Sequence, residues 1–167
     1  MMYIEDDLCY KNAQVLDFRS DTLSKPEEPM RYAMFNAEVG DDVYKEDPSV
    51  NALEQKAARL TGKESALFLP SGTMGNLIAI LTHCEHRSSE AIAGDKSHII
   101  LWEQGGAAQL GGVQVRTLKN RPDGTFNLDE LEALINDGAD IHKAITSLVC
   151  VENTHNFCGG QVLPLNG

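Results

Sequence analysis

The sequence predicts an α/β fold with a mostly parallel sheet flanked by helices. Two observations predict it. Short apolar, strand-like runs alternate with helix-compatible segments along the chain, the pattern of strands joined by right-handed helical crossovers. Polar clusters follow three of the apolar runs directly: "SGT" at 71–73, "GDKSH" at 94–98 and "ENTHN" at 152–156. In open parallel sheets ligands collect at the carboxyl ends of the strands, which is where these clusters fall.

Residues 1–14 read as a polar extension, and 15–18 as a short extended piece entering "RSDT". A helix is predicted over 27–37, where Pro29 in the first turn costs little because that N–H has no helical partner. Residues 38–48 form an acidic loop. Asp47 then caps a helix that has Pro48 at its first position and Val50, Leu53, Ala57 and Leu60 on one face, and Gly62 ends it. A strand over 65–69 leads into a helix over 73–83. Next come a short strand at 91–93, a helix around 101–110 despite its "GGAA", and an alternating strand at 113–118. "RPDG" is a turn by composition. Asn127 caps a helix over 128–136 with Leu131, Leu134 and Ile135 inward. Residues 147–151 are an apolar strand, and 161–165 a last extended piece.

A chain of 167 residues can bury one good core, and 42% hydrophobic with 23% charged residues is ordinary globular composition. The net charge of −11 argues against non-specific binding to nucleic acid or an anionic membrane, because both need basic surface. A small anion remains compatible, since backbone amides bind one locally. No apolar run is long enough to span a bilayer. The acidic start "MMYIEDDLCYKNAQ" resembles neither a secretory signal nor a transit peptide, so a cytoplasmic location is expected. Cys9, Cys84, Cys150 and Cys158 form no CxxC pair and are expected as free thiols. The spacing of Cys150, His155 and Cys158 fits no common zinc pattern.

Ser71, Gly72 and Thr73 stand at a predicted helix N-terminus, where free amides and the helix dipole stabilise an anion; an ordinary capped helix is the competing reading. His98 at a strand end offers a flat imidazole that stacks on an aromatic ring, or makes a local loop hydrogen bond. "ENTHN" puts five polar side chains after an apolar strand, as a polar site at a strand end does and as a hydrogen-bonded turn also does. "RSDT" holds a carboxylate or phosphate, or forms a capped turn. There is no P-loop and no GxSxG.

Taken in order, "DFRSDTLSKP", "AEVGDDVYKEDPSVNALEQKAARLTGKESALFLPSGTMGN", "HIILWEQGGAAQLGGVQ" and "ENTHNFCGGQVLPL" resemble the low-specificity L-threonine aldolases, fold-type I pyridoxal 5'-phosphate (PLP) enzymes of the wider β-eliminating lyase group. The likeness runs from about Leu16 to Leu165. It implies the PLP-binding large domain, with 15–167 as its N-terminal, incomplete part. It also implies that Ser71, Gly72 and Thr73 hold the cofactor phosphate and that His98 stacks on the pyridine ring. His155 would stand near the substrate hydroxyl as the candidate base, acting directly or through water. Ser20 would lie near the substrate carboxylate. Trp102 matches an aromatic position that is usually tyrosine or phenylalanine. The implied reaction is retro-aldol cleavage of L-threonine or L-allo-threonine to glycine and acetaldehyde. Family members are homodimers or homotetramers acting on small amino acids. Another fold-type I amino-acid lyase activity is the first alternative, and a catalytically dead chain that pairs with a full-length subunit is the second.

The resemblance covers about half of such an enzyme. The aspartate that pairs with the ring nitrogen, and the lysine that forms the imine with PLP, belong to later segments. None of the eight lysines here (Lys11, Lys25, Lys45, Lys56, Lys63, Lys96, Lys119 and Lys143) matches that lysine. The 167-residue chain alone is therefore expected to be inactive as an aldolase and poorly soluble or partly folded.

Overall fold

The structure, a computed structural model, describes residues 16–18 and 20–164. The predicted extension at 1–14 lies outside the described residues, as do Val15, Arg19 and Leu165. The described chain forms two compact units, divided between Phe68 and Leu69.

The first unit contains α1 (Glu28–Asn36) and α2 (Pro48–Thr61), with 3-10 turns at Asp21–Leu23 and Asp42–Tyr44. Asp47 caps α2 as predicted. Its carboxylate accepts from the amide of Val50 at 2.9 Å and, across the acidic loop, from that of Gly40 at 3.1 Å. One side chain thus starts the helix and closes the loop before it. Gly62, at φ 64°, ends the helix in the left-handed conformation that glycine adopts without a steric penalty. The predicted apolar face is only partly covered within this unit: Val50 and Ala57 are half-buried, while Leu60 is 78% exposed. The strand predicted at 65–69 does not form, because among the described residues the segment has no strand beside it to share a ladder. The Phe68 amide instead donates to Glu54 of α2 at 2.9 Å.

The second unit carries α3 (Gly72–His83), β1 (Ser89–Gly94), α4 (His98–Leu101), α5 (Gly106–Gly111), β2 (Gln114–Leu118), α6 (Leu128–Leu134) and β3 (Ile145–Val149). The strands form a parallel sheet in the order β2-β1-β3. The central strand, β1, is buried along its whole length. Its successive side chains serve opposite faces. Ala91 packs with Ile80 of α3, Cys84 just after it and Val113 before β2, while Ile92 packs with Leu118 and Phe126, joined by Leu131 and Leu134 of α6. Helices therefore cover both faces, as predicted.

β1 is longer than the predicted 91–93 because it hides a charge. Glu90 is 1% exposed and sits in the middle of the sheet. Arg116 of β2 grips it with both Nε, at 2.9 Å, and Nη2, and Thr146 of β3 donates to it at 2.8 Å. Arg116 Nη2 also donates to the carbonyl of Leu134 at 2.7 Å, tying the end of α6 to the sheet. The helix predicted over 101–110 is two helices, because Gln104 and Gly105 adopt φ 54° and 65° and break the ladder between α4 and α5. α6 stops at Leu134 rather than 136, and the last extended piece makes only an isolated antiparallel bridge between His155 and Gln161.

At the strand ends, Asn120 fixes the loops. Its amide donates to Asp95 at 2.8 Å, its Oδ1 accepts from Lys96 N at 2.9 Å, and its Nδ2 donates to the carbonyl of Gly124 at 2.9 Å. A Cβ on Gly94 would overlap this carboxamide, so the close approach requires glycine there.

Two outcomes are expected. Arg116→Ala leaves the Glu90 carboxylate buried without its ionic partner and should destabilise the second unit by about 3–5 kcal/mol, measured by urea unfolding. The Asp47 carboxyl is held below the usual carboxylate range, first by the Val50 amide and then by that of Gly40. A depressed folded pKa stabilises above the unfolded value, near 3.8. That stabilisation is lost as pH falls from there through the folded value. Acid titration of the helical signal should therefore show a transition in this window that is weakened in Asp47→Asn.

Candidate active site at the strand ends

Ser71 is extended, at φ −154° and ψ 154°, and caps α3, its Oγ accepting from the Met74 amide at 3.1 Å. Among the described residues the Gly72 and Thr73 amides have no hydrogen-bond partner, so two donors at the positive end of a 12-residue helix stay available. A Cβ on Gly72 would meet no protein atom within 4 Å. The protein itself therefore does not demand glycine there. A group lying against the amides would.

One turn into α3, Asn76 Nδ2 donates to Glu103 Oε1 at 2.7 Å. The same oxygen lies 2.8 Å from His98 Nδ1. Glu103 stands in the break between α4 and α5, and its side chain is 6% exposed. His98 opens α4 and is held from its other end too, where its amide donates to Glu152 Oε2 at 2.6 Å. The second oxygen of Glu152 accepts from the Asn156 amide at 2.8 Å. A chain of contacts thus joins the start of α3, the "GDKSH" loop and the "ENTHN" loop.

These elements surround a cleft of about 500 Å³ lined by Asn76, His83, His98, Cys150, Glu152 and Asn153, among others. Burial, and then the neighbouring Cys84, push the Cys150 thiol up, which keeps it protonated and a poor nucleophile. A second cleft, of about 340 Å³, lies beside Thr73, Trp102 and Glu103. Glu103 thus lines the second cleft, while its hydrogen-bond partner His98 lines the first.

His155 sits differently. It is 1% exposed, and its ring packs against Gly124, where φ is 84° and a Cβ would press on the imidazole. Its amide donates to Gln161 O at 2.8 Å. Among the described residues both ring nitrogens lack a hydrogen-bond partner, and Nδ1 lies 4.0 Å from Glu152 Oε1. His155 is not among the residues that line the first cleft. Trp102 is 61% exposed and lines the second cleft. Ser20 belongs to the first unit, where it caps the Asp21–Leu23 turn through the Thr22 amide at 3.3 Å.

Sequence reasoning singled out the loops but assigned no role to Asn76, Glu103 or Glu152. Helical spacing gives no reason to pair His98 with Glu103, five residues apart. The break at Gln104 and Gly105 is what turns the carboxylate back, and its signal was the "QGG" at 104–106. Among the described residues no three metal-ligating side chains converge, and no helix is long and apolar enough to cross a membrane.

The parallel sheet carries an imidazole and carboxylates in the loops after β1 and β3, tied to a helix start with open amides, and comparison with known proteins shows the family. The family model for the beta-eliminating lyases matches residues 17–167, and the chain belongs to that family. Family members are PLP-dependent. The chain is 51% identical over 150 residues to the low specificity L-threonine aldolase of Escherichia coli K12, covering 90% of this chain and 44% of that one. It is 50% identical over 150 residues to low-specificity L-threonine aldolase 1 of Arabidopsis thaliana, covering 89% and 42%. The solved threonine aldolase of Leishmania major superposes with a TM-score of 0.63 at 25% identity, over 80% of this chain and 37% of that one. The chain therefore spans less than half the length of these relatives.

Removing the Glu152 carboxylate should free two amides at once. In Glu152→Ala the His98 and Asn156 amides should exchange with deuterium about tenfold faster or more, from the loss of hydrogen bonds to a charged acceptor. Glu152→Gln, with one oxygen, should protect only one of them.

Proposed function

We propose that these residues hold PLP in an amino-acid lyase that cleaves L-threonine and L-allo-threonine to glycine and acetaldehyde. The observation that carries the reading is the Asn76–Glu103–His98 chain, which ties a flat imidazole to a helix start with two open amides. Those are the two fixtures that a ring with a phosphate needs. The threonine aldolases at about half identity supply the reaction.

In this reading residues 15–167 belong to the cofactor-binding domain. Ser71, Gly72 and Thr73 hold the phosphate by backbone N–H groups and hydroxyls at the positive end of α3. His98 lies against the ring, held by Glu103 and Glu152. Bound PLP supplies the electron sink for the pair released when the Cα–Cβ bond breaks. His155 accepts the β-hydroxyl proton at a ring nitrogen, directly or through water. Its support is physical: a buried imidazole with no partner among the described residues carries an unmet hydrogen-bonding demand. Glu152, 4.0 Å from Nδ1, is placed to favour the imidazolium that forms. Trp102 contacts the substrate; a role for Ser20 at the substrate carboxylate rests on the resemblance alone. The protein acts as a homodimer or homotetramer in the cytoplasm.

The phosphate cradle is directly testable. A side chain at Gly72 meets no protein atom, so Gly72→Val should fold normally yet cover the amides. Absorbance titration should show PLP binding weakened about tenfold to a hundredfold in this variant, with pyridoxal little affected. Inorganic phosphate should compete with PLP for the unaltered chain. Equal binding of PLP and pyridoxal, with no competition from phosphate, would sink the reading.

A further inference from the structure

We infer that Glu103 is a positioning residue that selects the tautomer of His98, placing the ring proton on Nδ1 and leaving Nε2 as the open acceptor. An ionised carboxylate only accepts hydrogen bonds. Glu103 Oε1 lies 2.8 Å from His98 Nδ1, so the imidazole must donate from that nitrogen. In free neutral histidine the proton resides mainly on Nε2, and the contact reverses that default. The carboxylate cannot swing away easily. Its side chain is 6% exposed, and Asn76 Nδ2 donates to the same oxygen at 2.7 Å.

The arrangement fixes more than a proton. Glu152 holds the His98 backbone through its amide while Glu103 holds the ring, so the residue is gripped at both ends by carboxylates from different loops. The ring is 46% exposed, so packing alone does not set its orientation. The hydrogen bond does, in the way that carboxylate partners orient metal-bound histidines. Because Asn76 lies one turn into α3, the ring is also registered to the Gly72 and Thr73 amides. The use of this registration, a flat face set at a fixed place relative to a bound phosphate, rests on the cofactor reading above. The tautomer itself does not.

The test is a long-range proton–nitrogen correlation spectrum of the imidazoles in the nitrogen-15-labelled, cofactor-free chain at alkaline pH. The His98 signals are identified by their loss in His98→Asn, and His83, His86 and His142 serve as internal references. The expected pattern for His98 is a protonated Nδ1 and a bare Nε2. It should persist in Glu103→Gln, whose carboxamide oxygen still accepts, and be lost in Glu103→Ala. A His98 with its proton on Nε2 in the unaltered chain would overturn the inference, as would an unchanged tautomer in Glu103→Ala. If the alanine variant does not fold, the unaltered chain decides. A fixed Nδ1–H tautomer in a chain that fails to bind PLP would defeat the cofactor reading and leave this inference standing. PLP binding with the proton on Nε2 would do the reverse.

Discussion

The buried carboxylate of Glu90 is the constraint on which the second unit depends. An unpaired charge at the centre of a sheet is expensive, so the chain must bring it partners. Arg116 arrives from one neighbouring strand and Thr146 from the other, and the bond from Arg116 to Leu134 O brings in the end of α6. The pairings then set Glu90 opposite Gln114 and Thr146. A shift of β2 or β3 by one residue would turn these partners to the opposite face. The carboxyl ends of the three strands, and hence the loops that follow them, are placed by the same requirement.

Around His98 the same chemistry is used on a smaller scale. Glu103 and Glu152 each accept two hydrogen bonds, and each joins segments far apart in sequence. Neither belongs to a helix or strand. Carboxylates suit this task because two oxygens offer several acceptor sites, enough to satisfy the open amides that loops leave behind. A site assembled from loops thereby acquires geometry of the kind that regular elements otherwise provide.

The identity to threonine aldolases across nine-tenths of the chain contrasts with a span of less than half of those proteins. What these residues contribute is a helix start with open amides, an imidazole tied to it through Glu103 and Asn76, and the loop that carries His155. Membership of the beta-eliminating lyases accounts for these parts occurring together.

Local chemistry was legible in the sequence. Asp47 before Pro48, Ser71 before Gly72 and Asn127 before Leu128 each mark a helix start, because a cap needs only a short polar side chain and the next few amides. The α/β pattern and two of the three polar clusters at strand ends, "GDKSH" and "ENTHN", were legible for a similar reason, since burial imprints apolar runs. Tertiary structure alone decided what depends on neighbours. The run at 65–69 has strand composition but, among the described residues, no strand beside it, and Glu90 breaks an apolar pattern yet lies in the best-buried strand because Arg116 meets it there. Glu103 became a partner of His98 only because the backbone turns left-handed at Gln104 and Gly105. A side chain's character is written locally, but its partner is chosen by contacts between distant segments, and those exist only once the chain has folded.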